Sequence, residues 1–108
     1  MNAGGDRPGG VTRVYRAVGE AEYRDILETG CFRQGPNSAE GKWFSDLPAG
    51  ATAHGQALYP DGRFRLVEAD VPDDAPSLFR FANLDGFGPA RFLDIDDLDG
   101  VLPLLMEP

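Results

Sequence analysis

Residues 11–18 alternate so that Thr12, Val14, Arg16 and Val18 share one face of a strand and Val11, Arg13, Tyr15 and Ala17 the other. Arg16 therefore stands in a row of valines, on a face the chain must bury. An unpaired charge there is very costly, so the fold has to bring an anion to that guanidinium. Two kinds of anion fit. A carboxylate of the same chain is one, and Glu68 and Asp94, each on an apolar strand face, are the available choices. The phosphate of a ligand is the other, well matched to the planar fork of arginine. A third arrangement runs the side chain along a sheet edge and leaves its head in water.

Breakers and periodicity set the remaining elements. Gly19 stops the first strand, and residues 20–29 have the spacing of a helix that buries Tyr23, Ile26, Leu27 and Gly30. Arg24 stands four residues from both Glu20 and Glu28 on the wet side, and Gly30 supplies the left-handed stop. Gly35-Pro36-Asn37-Ser38 marks a loop over 31–41. A short strand at 42–45 then points Trp43 and Ser45 one way and Lys42 and Phe44 the other. Asp46-Leu47-Pro48 reads as a helix entry with Asp46 as the cap, and 49–58 as a small helix packed through Ala51, His54, Gly55 and Leu58. After the turn Tyr59-Pro60-Asp61-Gly62 comes a long strand, 63–71, in which Phe64, Leu66, Glu68 and Asp70 alternate with Arg65, Val67, Ala69 and Val71. Residues 77–84 suit either a short helix or an irregular strand. A glycine-rich loop at 85–89, a strand at 90–95 and an apolar tail at 98–106 that adds an edge strand complete the order. A length of 108 residues supports one domain, 11–108, behind a flexible 1–10 segment that lacks the apolar run of a signal peptide. Strands with two helices in the N-terminal half make the class α+β.

Composition removes several functions. A net charge of −8 opposes a nucleic-acid footprint, although Arg13, Arg16, Arg24 and Arg33 leave room for a local basic cleft. With one cysteine, Cys31, and one histidine, His54, there is neither an internal disulfide nor a zinc site of the usual Cys/His kind. A Ser-His-Asp hydrolase would rest on His54 without a nucleophile elbow. The run Asp94-Ile95-Asp96-Asp97-Leu98-Asp99-Gly100 fails as a calcium loop, because Leu98 and Leu105 fall where ligands are required. Asp85-Gly86-Phe87-Gly88 is neither a kinase motif nor a phosphate loop, and Asp85 reads as a turn residue. No apolar run reaches the length of a membrane span. Ser45 either bonds its own backbone at a strand end or orients a ribose or nicotinamide beside Arg16. Trp43 either stacks on a planar ligand or fills core. His54 reads as a core or rim histidine and Cys31 as packing.

The sequence resembles the ADP-ribosyltransferase fold, in its compact bacterial form found as C-terminal toxin domains of polymorphic and Rhs-type proteins. The resemblance is carried by Val14-Tyr15-Arg16-Ala17-Val18, Glu20-Ala21-Glu22-Tyr23, Thr29-Gly30, Glu40-Gly41-Lys42-Trp43-Phe44-Ser45, Leu66-Val67-Glu68-Ala69-Asp70-Val71-Pro72 and the segment from Leu84-Asp85 to Arg91-Phe92. It implies a split antiparallel β-sandwich and an enzyme that cleaves the nicotinamide–ribose bond of NAD without a metal. ADP-ribose then passes to a protein or small-molecule acceptor, with NAD hydrolysis as a side activity. By the same resemblance Arg16, Ser45 and Asp94 are the catalytic residues, with Glu68 and Asp85 in reserve for the acid. Tyr15, Arg16, Ala17, Trp43, Phe44 and Ser45 would line the NAD site. A toxin of this kind would act in a cytoplasm as a delivered effector and would have an immunity protein for a partner, with no membrane or nucleic acid involved. A non-catalytic acidic partner module of the same fold, and an RNA 2′-phosphotransferase-like enzyme, are the alternatives.

Overall fold

The computed structural model describes residues 10–34 and 40–106. Among them the elements run β1 (Val11–Val18), α1 (Glu20–Thr29), β2 (Gly41–Ser45), α2 (Pro48–Leu58), β3 (Arg65–Pro72), β4 (Phe79–Phe81), β5 (Ala90–Asp94), a 3-10 turn (Ile95–Leu98) and β6 (Leu104–Leu105). The strands make one six-stranded sheet in the order β4-β5-β2-β1-β3-β6, each neighbouring pair antiparallel. The class is α+β.

Strand alternation decides which side chains go where. One face carries Val14, Val18, Phe44, Val67, Ala69, Val71 and Leu93, all buried beneath Ile26 of α1, Phe32, Leu98 and Val101. Each large aliphatic or aromatic side chain in that row stabilises the fold by about 1.5–3 kcal/mol. The opposite face carries Trp43 against Phe81 and Phe92, ring centroids 5.0 Å apart in both pairs. It also takes α2, whose Gly55 lies so close that a Cβ there would stand 2.5 Å from the Phe64 ring and 2.9 Å from Ala17. Helices thus cover both faces of one sheet. The expected split into two packed sheets is corrected for that reason, since α1 and α2 do the covering that a second sheet would do.

The sheet nevertheless has a seam. β1 and β3 pair along their whole length, from Val11↔Pro72 to Val18↔Arg65, whereas β1 and β2 share the single pair Tyr15↔Ser45. Beyond that pair the two strands fork, dividing the sheet into a β4-β5-β2 blade and a β1-β3-β6 blade.

Several sequence expectations need adjustment. α1 begins and ends as its breakers dictate, with Gly30 at φ 72° donating its N–H to Ile26 O at 2.8 Å. Its buried stripe is narrower than expected, however, because Leu27 is 58% exposed. α2 has Leu47 as its N-cap and no side-chain cap. Asp46 is drawn away by Arg91, whose Nε and Nη2 donate to its carboxylate at 3.0 and 3.1 Å while Nη1 reaches Asp73 at 3.4 Å. Arg91 is itself buried on the core face. Leu58 is exposed at the end of α2. β3 starts at Arg65 because the Phe64 N–H is held by Gly62 O in the preceding turn. The ambiguous 77–84 segment contributes β4, β5 gives way to the 3-10 turn at Ile95, and the apolar tail supplies β6 at the sheet edge. The 1–9 part of the expected flexible segment and the Gly35-Pro36-Asn37-Ser38 turn lie outside the described residues. Among those residues no helix is long and apolar enough to cross a membrane.

Candidate functional site

Arg16 sits at the fork between β1 and β2. Its Nε and Nη2 donate to the two oxygens of Glu22 at 2.9 and 2.8 Å, and its Nη1 donates to the Trp43 carbonyl at 3.0 Å. The guanidinium thereby takes up a β2 carbonyl that β1, having diverged, leaves open. The expected partners Glu68 and Asp94 are corrected to Glu22. The tight Gly19 turn brings the first turn of α1 back over the end of β1, which puts a residue only six places on within reach. Lys42 Nζ stands 3.6 Å from the same carboxylate, and its side chain is 7% exposed. Burial pushes Glu22 up, but the hydrogen bonds and charge of Arg16, aided by Lys42, outweigh it and hold the carboxyl below its ordinary range. Lys42 is pushed down, chiefly by burial, against the pull of Glu22.

These residues, with Asp25, Arg33 and Tyr59, line a cleft of about 620 Å3. Arg33 is matched by Asp25 and Glu20 by Arg24, whereas Arg16 and Lys42 share the one carboxylate of Glu22. The cleft itself is lined by three cations and three carboxylates, with Arg16 and Lys42 crowded onto Glu22. A group with a depressed pKa contributes stability above its unfolded value and loses it as pH falls through the folded value. The urea midpoint of Glu22→Gln should therefore fall furthest below wild type near pH 7, with the gap closing below about pH 4.3. A gap independent of pH would show that the carboxylate's charge contributes nothing.

The other face holds Ser45. Its Oγ accepts the Leu47 N–H at 3.3 Å, the local strand-end bond that serines favour. The space beside it, lined by Trp43, Gly50, His54, Leu84 and Phe87, is only about 10 Å3, room for one water at most. Phe87 fills it, lying over His54 with centroids 5.4 Å apart. The loop carrying Phe87 is closed on itself, Leu84 N–H to Gly88 O at 3.0 Å and Gly88 N–H to Asn83 Oδ1 at 2.9 Å, with Asp85 at φ 53°. His54 is pushed below its ordinary value by burial and then by Arg16, with Asp85 opposing. Gly50 lets this loop in, for a Cβ there would strike Ser45 Oγ and come 2.6 Å from the Phe87 carbonyl. Gly50→Ala should cost about 1–3 kcal/mol and displace the loop. Trp43, the single tryptophan, reports it, and acrylamide should quench its fluorescence more readily in the variant. Equal quenching would mean the helix shifts instead.

The sequence-predicted residues divide between the two faces. Arg16 and the core residue Phe44 lie on one, while Tyr15, Ala17, Trp43 and Ser45 lie on the other. Asp94 is not brought to Ser45. It pairs with Gly41, and Ser45 with Ala90, so they stand at opposite ends of β2, about 13 Å apart. Glu68 is better placed, because the pairs Ser45↔Tyr15 and Tyr15↔Glu68 set the three in one row across the sheet on one face. Arg13 Nη1 holds Glu68 at 3.2 Å. Asp85 lies in the loop near His54. Glu22 and Lys42 had no assigned role in the sequence. Their signal was the strand–glycine–helix spacing for Glu22, and for Lys42 its place with Phe44 on a buried face. Among the described residues no group of three or more His, Cys, Asp or Glu is arranged to hold a metal ion. Comparison with protein-family models, with curated proteins and with solved structures finds no match.

Proposed function

We propose that the chain binds NAD at the β1/β2 fork and transfers its ADP-ribose unit to an acceptor, as a toxin or effector domain would. One observation carries the reading: Arg16 and Lys42 share the single carboxylate of Glu22 on a cleft of about 620 Å3. Two cations converging on one carboxylate, in a chain of net charge −8, offer N–H donors to an anion such as a pyrophosphate. The volume lies within the usual range for small-molecule sites.

In this reading nicotinamide leaves the ribose C1′ with the bonding electron pair, and positive charge develops on the ribose. A preorganised carboxylate lowers that barrier most in the transition state. Glu68 is the carboxylate we favour over Asp94, because it shares a row with Ser45 and Tyr15. An acceptor oxygen or nitrogen then bonds to C1′ and gives its proton to solvent; water in that position gives hydrolysis. The test is calorimetric titration with NAD together with nicotinamide release. Binding and release are expected, with release lost in Glu68→Gln but retained in Asp94→Asn. No NAD binding by the folded chain would end the reading.

A non-catalytic partner module of the same class has its own support: Glu22 already occupies Arg16, and the space beside Ser45 is about 10 Å3. NAD binding without nicotinamide release would favour it.

A further inference from the structure

Across the β1–α1 turn from the Arg16 cleft lies a second groove of about 580 Å3. Tyr23, Arg24 and Leu27 of α1 line it with Arg63, Phe64 and Arg65 at the start of β3. Three arginines thus meet in a chain of net charge −8. Two of them have carboxylates nearby: Arg24 pairs with Glu20 at 2.7 Å, and Arg63 stands 3.7 Å from Asp61. Arg65 has no ion pair among the described residues, and its guanidinium lies over the Tyr23 ring, 4.5 Å from the centroid. Stacking of that kind fixes the plane of the guanidinium while leaving its edge N–H groups able to receive a carboxylate. Leu27, one helical turn beyond Tyr23, is the exposed apolar neighbour of this cation.

We infer that the groove docks a short acidic segment of a partner protein, with one carboxylate on Arg65 and an adjacent apolar side chain against Leu27 and Phe64. A bare phosphate would leave the apolar wall unused. A nucleic acid binds through many phosphate contacts, whereas two of the three arginines here are already matched by carboxylates. Arg24 and Arg63, already matched, act at the rim and speed encounter more than they tighten the complex. The inference is independent of the role given to the Arg16 cleft.

The test titrates the full chain, by fluorescence anisotropy, with a labelled peptide of repeating Asp, Glu and Leu. A peptide with Lys for each acid and inorganic phosphate as competitor serve as controls. Saturable binding of the acidic peptide alone is expected, weakened about tenfold in Arg65→Gln and in Leu27→Asp. Both residues are exposed and sit on different elements, so circular dichroism of each variant separates lost binding from lost fold. The inference is overturned if the acidic peptide does not saturate, if the folded variants bind as wild type does, or if phosphate displaces the peptide completely.

Discussion

Arg91→Met is expected to destabilise the fold by about 3 kcal/mol, a fall of about 15 °C in Tm. The guanidinium is buried in β5, and its three contacts tie that strand to Asp46, before α2, and to Asp73, after β3. Removing it leaves two carboxylates facing a site shaped for a cation. Their side chains keep 28% and 22% exposure, which places the cost at the lower end for breaking a buried pair. Arg91→Met with Asp46→Asn should recover part of the loss, since the double variant strands one charge fewer. Thermal unfolding followed by circular dichroism measures both. If Arg91→Met melts with wild type, the cluster is no more than a solvated contact.

In the proposed reaction, Arg16→Ala is expected to reduce nicotinamide release about a hundredfold or more while the chain stays folded. The structural cost is smaller, about 2 kcal/mol, because Arg16 and Glu22 are each about one-fifth exposed and water can reach the stranded carboxylate. Glu22→Gln is the informative contrast. It keeps a neutral hydrogen-bond partner for the guanidinium but removes the charge that a phosphate would have to displace, so NAD affinity should rise severalfold. Calorimetry on the two variants separates the roles. A loss of affinity in both would mean that the pair acts only as scaffold, and the anion site would have to be sought elsewhere.

Where a glycine or a turn punctuates a clear period, the elements were legible. β1 ends before Gly19, and α1 runs from there to Gly30. The seam was not legible, because pairing between strands distant in sequence depends on which faces the helices cover. The need of Arg16 for an anion follows from its valine neighbours, but strand alternation points only to strand carboxylates and is blind to Glu22, which the Gly19 turn folds back over β1. The same alternation marks Arg91 as a charge on the strand face it shares with Leu93. Asp46 was read by local rule as a cap, and a buried arginine from another strand outbid that local preference. Ser45 and Asp94 were grouped by the resemblance, whereas strand register separates them and brings Glu68 into line.

The single pair joining β1 to β2 also bears on how the molecule comes apart. The chain passes between the two blades at β1–β2, β2–β3, β3–β4 and β5–β6, so neither blade is a continuous segment that folds by itself. The backbone ladder at their junction is one rung long, so side chains such as Arg16 on the Trp43 carbonyl and Arg91 on Asp73 carry much of what resists local parting of the blades. The repeated crossings limit how far they go. Amide exchange should accordingly be quicker along the inner edges of the fork than in the β1–β3 ladder, with global unfolding still a single step. Such a molecule can open locally between its halves without ceasing to be one cooperative unit.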